Sequence, residues 1–294
     1  MALAINSLRQ KFKLKDLLSY TGMPKATYMY WQKRFDRENP DKKLEENIQE
    51  IRINNKDYGY RRIVGELRNN GYTINKKKVQ RIIQKLHLQV TSYTRKSRKY
   101  SSYRGTVGRV APNRIHRRFK THIPHQKITT DTTEFKYYEV DKKGHMTIHK
   151  LYLDPFMDMY NGEIISYSIS ERPSAKNIMD ALEEAIKVTA NSPYRRTFHS
   201  DQGWVYQMKA YSKRLKEECI YQSMSRKANC LDNSVMENFF GILKQEIYYG
   251  TTYNSYMELK LAIEKYIKYY NEERIKEKLG WLSPKQYRIK HMTV

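Results

Sequence analysis

Cysteine is nearly absent: Cys219 and Cys230 are the two among 294 residues. Two thiols cannot build a disulfide framework, and the eight histidines stand in no zinc-finger spacing with them. A reducing cytoplasm and no zinc are therefore expected. Long hydrophobic runs are missing too. The apolar stretches fall far short of the roughly 18–20 residues that span a bilayer, and no charged-then-apolar leader opens the chain, which argues against membrane and secreted proteins. Acid is scarce: 31 Asp+Glu stand against 56 Lys+Arg, a formal charge of +25. That excess points to a polyanionic partner, because Lys and Arg gain affinity by displacing counterions from phosphates.

What is present divides the chain into a helical N-terminal part, a basic connector, and a larger body. Residues 1–40 hold a short helical pair, with Leu14, Leu17 and Leu18 in a helix-spaced stripe, Gly22 and Pro24 as the break, and Lys25 to Phe35 as the resumption. Residues 41–90 carry a clearer series: Leu44–Asn54, Tyr60–Asn69, a break at Gly71, and Asn75–Leu86. A glycine turn followed by a helix that opens on Lys76, Lys77 and Lys78, with Arg81 one turn on, has the pattern of a recognition helix. Residues 91–123 read as a cationic linker; between 91 and 120 there are ten basic residues and no acid. Arg95, Lys96, Arg98, Lys99, Arg104, Arg117 and Arg118 in that stretch are expected to follow a nucleic-acid backbone, with Tyr93, Tyr100 and Tyr103 available for stacking.

From about residue 126 the pattern becomes β. Residues 126–140, 145–160 and 162–170 read as three strands of an antiparallel meander. An amphipathic helix (Ser174–Thr189), a strand (Arg196–Ser200), a helix (Tyr206–Glu218), a strand (Ile220–Met224) and a helix (Asn233–Tyr248) follow. This order describes an α/β core over 124–250, a mixed five-stranded sheet flanked by helices. The remainder, 251–294, reads as a C-terminal extension with one helix, Ser255–Arg274, and a loop around Gly280 and Pro284. That helix is a candidate for pairing protomers.

Three carboxylates stand out. Asp131 lies inside the first strand, Asp201 just beyond the fourth, and Glu237 one turn into the following helix, with 35 residues between the last two. In such a sheet the first and fourth strands are neighbours, so the two aspartates can meet and a helix crossing that edge can bring Glu237 to them. Gathered carboxylates repel unless a cation neutralises them, and an all-oxygen set selects Mg²⁺ or Mn²⁺. Two such ions suit in-line attack on a phosphodiester. Lys244, two turns beyond Glu237, shares its helix face and is expected to contact DNA.

Residues 130–135 (TDTTEF), 199–207 (HSDQGWVYQ), 223–246 (SMSRKANCLDNSVMENFFGILKQE) and 266–284 (YIKYYNEERIKEKLGWLSP), with the helical series near 58–88, resemble the second-reading-frame product of IS3-family insertion-sequence transposases. The resemblance spans nearly the whole chain. It implies a retroviral-integrase-like RNase H fold preceded by helix-turn-helix segments. It further implies Asp131, Asp201 and Glu237 as catalytic and metal-holding residues, with Asp158, Asp232 and Asn233 in support and Asn233 or Ser234 as helix cap. The implied reaction is Mg²⁺-dependent 3′-end cleavage at the element's terminal inverted repeats and strand transfer to target DNA, with no covalent enzyme–DNA intermediate. A homo-oligomeric synaptic complex, a bacterial nucleoid setting and cooperation with the first-reading-frame product are implied as well. Ile128 stands where the family usually has Trp. Two other readings remain open: a silent DNA-binding regulator of transposition, and an RNase H-type nuclease without strand transfer.

Overall fold

The computed structural model describes residues 1–35, 39–94, 108–140, 143–226 and 230–292. It divides into two compact units, Met1–Asn55 and Lys56–Val294. The expected segment 41–90 is thus shared between them.

In the first unit, α1 (Ala2–Leu8) accompanies the expected pair α2 (Leu14–Thr21) and α3 (Lys25–Gln32). Gly22 closes α2 in the left-handed region (φ 65°), which a residue without Cβ enters freely. Tyr28 of α3 is fully buried and donates its hydroxyl to Asn6 Oδ1 of α1 at 3.0 Å. A further helix, α4 (Lys42–Asn54), buries Leu44 and Ile48.

The second unit opens with α5 (Tyr60–Asn69) and α6 (Lys76–Lys85), which pack through Ile63, Val64, Leu67, Val79, Ile82 and Ile83. Asn75 caps α6, its side chain accepting from Lys77 N at 2.9 Å.

All five expected strands are present, and the first is broken. β1 (Lys127–Thr130) and β2 (Thr133–Val140) both pair antiparallel with β3 (Met146–Asp158) in one register: Thr130 opposes Phe156 and Thr133 opposes Leu153. The interruption at Asp131–Thr132 falls opposite Pro155 and Asp154. Pro155 has no amide hydrogen to contribute to a ladder. β4 (Ile164–Ser170) lies on the other side of β3, while β1 continues to parallel β5 (Thr197–Ser200) and β6 (Tyr221–Met224).

Helices cover both faces. α7 (Ala175–Val188) and α8 (Lys209–Glu217) pack with Ile128, Phe156 and Phe198 on one side. On the other, α9 (Ser234–Leu243) and α10 (Tyr256–Glu272) pack with Phe135, Leu151 and Leu153. α10 buries Leu259, Ile263, Tyr266, Ile267 and Tyr270 there, while Met257 and Leu261 of the same helix stay exposed. The Asn233–Tyr248 helix stops being α-helical at Leu243 and finishes as a π-turn, Lys244–Tyr248.

The loop expected around Pro284 is instead the start of α11 (Pro284–Met292). Ser283 and Gln286 form its reciprocal cap: Gln286 Oε1 accepts from Ser283 N at 2.9 Å and Ser283 Oγ accepts from Gln286 N at 3.3 Å. The tail anchors α5, for Asn69 Nδ2 donates to Trp281 O at 2.9 Å and Trp281 lies so close to Gly65 that a Cβ there would meet its ring at 2.5 Å. No described helix is long and apolar enough to cross a membrane.

Candidate active site

The parallel register of β1 and β5 sets Ile128 beside Phe198 and Thr129 beside His199. Carried two residues past that last pair, the same offset brings Asp131 beside Asp201. Each leaves its strand in a local turn. Asp131 Oδ1 accepts from Thr132 N, and Asp201 Oδ1 accepts from Gly203 N, both at 2.8 Å. Space at Gly203 is tight: a Cβ there would stand 2.9 Å from Asp201 Oδ1 and 3.2 Å from the Tyr206 ring, so the carboxylate would have to shift.

Burial raises the Asp131 carboxyl well above the ordinary range, and the neighbouring charge of Asp201 raises it further, with Glu237 and Asp154 adding to it. Asp201 is raised by burial as well. Glu237 sits on the exposed side of α9, opposite the buried Met236, Phe239, Phe240 and Leu243, and desolvation raises it. The fold therefore sets the two aspartates side by side and puts Glu237 within electrostatic reach of Asp131. Among the described residues, no three Asp, Glu, His or Cys side chains are drawn together closely enough to form a finished ion site. The donor chemistry nonetheless fits a hard divalent cation, which would relieve the carboxylate repulsion.

Asn233 positions α9. It occupies the N-cap place but makes no capping bond, contrary to expectation. Its Oδ1 accepts from Thr129 Oγ1 at 2.7 Å and its Nδ2 donates to Thr130 O at 3.3 Å, so the start of the Glu237 helix is fastened to the strand that carries Asp131.

Asp232, next to it, is buried and held well below the ordinary carboxylate range by Arg226 and then Arg117. Arg117 Nε donates to Asp232 Oδ1 at 2.9 Å, while its side chain stays 44% exposed. The described part of the connector is not a free tether: Ile115 is buried, Arg114 N donates to Ser223 Oγ, and Asn113 Nδ2 to Asp232 Oδ2. Arg118 is exposed. Arg95, Lys96, Arg98, Lys99 and Arg104 lie outside the described residues.

Asp158 stands away from the pair, at the end of β3. Burial pushes its carboxyl up to about 6, against hydrogen bonds from Tyr160 N and His125 N. Lys244 is desolvated, which lowers its ammonium, while the charges of Glu134 and Asp131 raise it; its Nζ lies 5.0 Å from the Phe135 ring centroid. On α6, Lys76, Lys77 and Arg81 are exposed and Lys78 is half-buried.

Three residues escaped the sequence reading. His199 is fully buried; its Nε2 donates to Asp232 O at 2.9 Å, so Nδ1 is left to accept from Ser223 Oγ at 2.8 Å, and the imidazole ties β5 to the turn before α9. Tyr206, also buried, brings its hydroxyl 3.4 Å from Thr130 Oγ1 and lies in the field of Asp154, Asp201 and Asp131. Asp154 is 2 % exposed and accepts from Thr132 Oγ1 at 2.6 Å. Its signal was an acid set within the otherwise mostly apolar run 151–157, LYLDPFM.

Comparison with known proteins matches three stretches of the chain. An integrase core domain model matches residues 121–230, a second integrase core domain model matches 237–292, and a helix-turn-helix-like domain model matches 38–97. The transposase InsK for insertion sequence element IS150 of Escherichia coli (strain K12) is 42% identical over 285 residues, covering 97% of this chain and 96% of InsK. The transposase InsF for insertion sequence IS3A of the same organism is 28% identical, with 98% of each chain covered. Among solved structures, the HTLV-2 integrase catalytic core domain matches with a TM-score of 0.40 and 18% identity over 56% of this chain and 97% of that one.

Proposed function

The chain belongs to the IS3-family insertion-sequence transposases, DDE-type polynucleotidyl transferases, and on that premise we propose that it cleaves the 3′ ends of its own element and joins them to target DNA around Asp131, Asp201 and Glu237. The observation that carries this reading is the pairing of Asp131 with Asp201 at the ends of adjacent parallel strands, with the Glu237 helix fastened to the first of them.

Asp131, Asp201 and Glu237 would hold two Mg²⁺ or Mn²⁺ ions, whose chemistry is to activate an attacking oxygen and neutralise charge on the leaving 3′ oxygen. The protein's own share is orientation. Asn233 and His199 fix the helix and turn that present Glu237; the backbone amides of Thr132 and Gly203 aim the two aspartates. Lys244, placed near Glu134 and Asp131, steadies the scissile phosphodiester. In cleavage, water's oxygen bonds to phosphorus as the bond to the 3′ oxygen breaks. In transfer, that freed 3′-OH attacks a target phosphodiester and one P–O bond replaces another, with no enzyme–DNA bond formed.

Duplex DNA is engaged by α6 through Lys76, Lys77, Lys78 and Arg81, and by the α2–α3 pair, whose segment 1–35 has seven basic residues and one acid. Arg118 and the basic residues 95–104 extend that contact. Joining two ends requires more than one protomer, with the terminal inverted repeats and the first-reading-frame product as partners, in the bacterial cytoplasm.

The test supplies the full chain with a pre-cleaved element end bearing a 3′-OH, a target duplex and Mg²⁺. Joined products support the reading. Hydrolysis without joining would leave a nuclease, and duplex binding without either would leave a regulator.

A further inference from the structure

Asp154 has no part in the cleavage and transfer steps proposed above, yet it sits in line with the broken strand. It stands in register with Ser168 of β4 on one side and opposite Thr132 on the other. One carboxylate oxygen accepts from Thr132 Oγ1 at 2.6 Å and the other from Ser168 Oγ at 3.1 Å. The side chain is 2 % exposed, so both oxygens are committed inside the sheet. A buried carboxylate is retained only where donors satisfy it.

At Asp131 and Thr132 the β-ladder is absent, and the partner strand presents Pro155, which offers no amide hydrogen. Ordinary strand pairing therefore does not hold the segment that carries Asp131. Thr132 has two hydrogen bonds instead, and they run in sequence. Its hydroxyl donates to Asp154, and its amide donates to Asp131 Oδ1 at 2.8 Å. By strand alternation Thr132 and Asp154 face the α7–α8 side, while Thr129 and Thr133, on either side of Asp131, face α9 and α10.

We infer that Asp154 is a positioning residue: through the Thr132 hydroxyl it clamps the gap in the first strand, and through the Thr132 amide it sets the orientation of the Asp131 carboxylate for a divalent cation. The inference rests on the reading of Asp131 as a metal-holding carboxylate. Supporting groups of this kind change metal affinity or activity by about 10–100-fold when removed.

The test uses the full chain in three variants, Thr132→Val, Asp154→Ala and Asp154→Asn, each checked for folding by its thermal melt. Thr132→Val keeps the shape and loses only the hydroxyl. Two quantities are read: amide hydrogen exchange across residues 127–135 in metal-free protein, and Mn²⁺ uptake followed by electron paramagnetic resonance. The clamp predicts faster exchange at the gap in Thr132→Val and Asp154→Ala, unchanged exchange in β5, and Mn²⁺ affinity weaker by about 10–100-fold. Asp154→Asn, whose amide oxygen still accepts from Thr132, stays near the wild type in both. Exchange and Mn²⁺ affinity both unchanged in folded Thr132→Val would overturn the clamp. Faster exchange with no Mn²⁺ uptake by any form, wild type included, would uphold the clamp's grip on the strand and refute the metal reading of Asp131.

Discussion

Asn233 and Thr129 are 104 residues apart in sequence and joined by a buried hydrogen bond of 2.7 Å. Through it, the helix bearing Glu237 takes its position from the strand bearing Asp131. Asn233→Ala leaves Thr129 with a buried, unpaired hydroxyl, which destabilises by about 1–3 kcal/mol. Cleavage is expected to fall by about 10–100-fold, as for other supporting groups around a metal site. Duplex affinity measured in EDTA should match the wild type. Full cleavage by a folded Asn233→Ala protein would show that α9 does not depend on this bond.

Gly203→Ala tests the other aspartate. The added methyl would meet Asp201 Oδ1 at 2.9 Å and the Tyr206 ring at 3.2 Å, so the carboxylate must shift. A displacement near 1 Å can cost about 100-fold in rate. Cleavage kinetics with Mg²⁺ should show that loss with little change in melting temperature.

Acid titration follows from Asp158. Its carboxyl is raised from 3.8 to about 6 in the folded chain, so the native state holds its proton more tightly than the unfolded state does. The resulting stability is present at low pH and declines as pH rises from 3.8 through about 6. Asp158→Asn removes this decline. Urea melts across that range should show the variant gaining on the wild type as pH rises, by roughly 2 kcal/mol overall. A difference that stays flat across pH would contradict the assignment.

Glu246, on the π-turn beyond Glu237, is paired with fully buried Arg274 at 2.5 Å, and the hydroxyls of Tyr93 and Tyr266 also donate to it. Arg274→Met strands a buried carboxylate and should destabilise by about 3–5 kcal/mol in denaturant melts. The double variant Arg274→Met with Glu246→Leu should recover most of it.

Much of this architecture was readable in the amino-acid pattern, for identifiable reasons. Periodicity marked α7 because Ile178, Leu182, Ala185 and Ile186 share one buried face. The neighbouring of β1 and β5 followed from the order of strands and helices. The gap at Asp131 was hidden, since TTDTT is uniformly polar, with threonines on both sides and no glycine or proline to mark a break; its cue lay in a different strand, at Pro155. The docking of 108–123 rests on backbone donors reaching distant side chains, such as Arg114 N to Ser223, which leave no periodic trace. The pairing of Arg117 with Asp232 was hidden because the two are 115 residues apart. The start of α11 is legible as Ser283-Pro284-Lys285-Gln286, a capping box with proline at the first helical position.

The catalytic reading depends on Asp131, Asp201 and Glu237 acting together on DNA. Its most direct measurement compares Asp131→Ala, Asp201→Ala and Glu237→Ala with the wild type for Mg²⁺-dependent nicking and joining at an element end, with duplex affinity measured on the same preparations. Loss of both reactions in all three, at wild-type affinity, is the expected result. Nicking that persists in any one of them would contradict it.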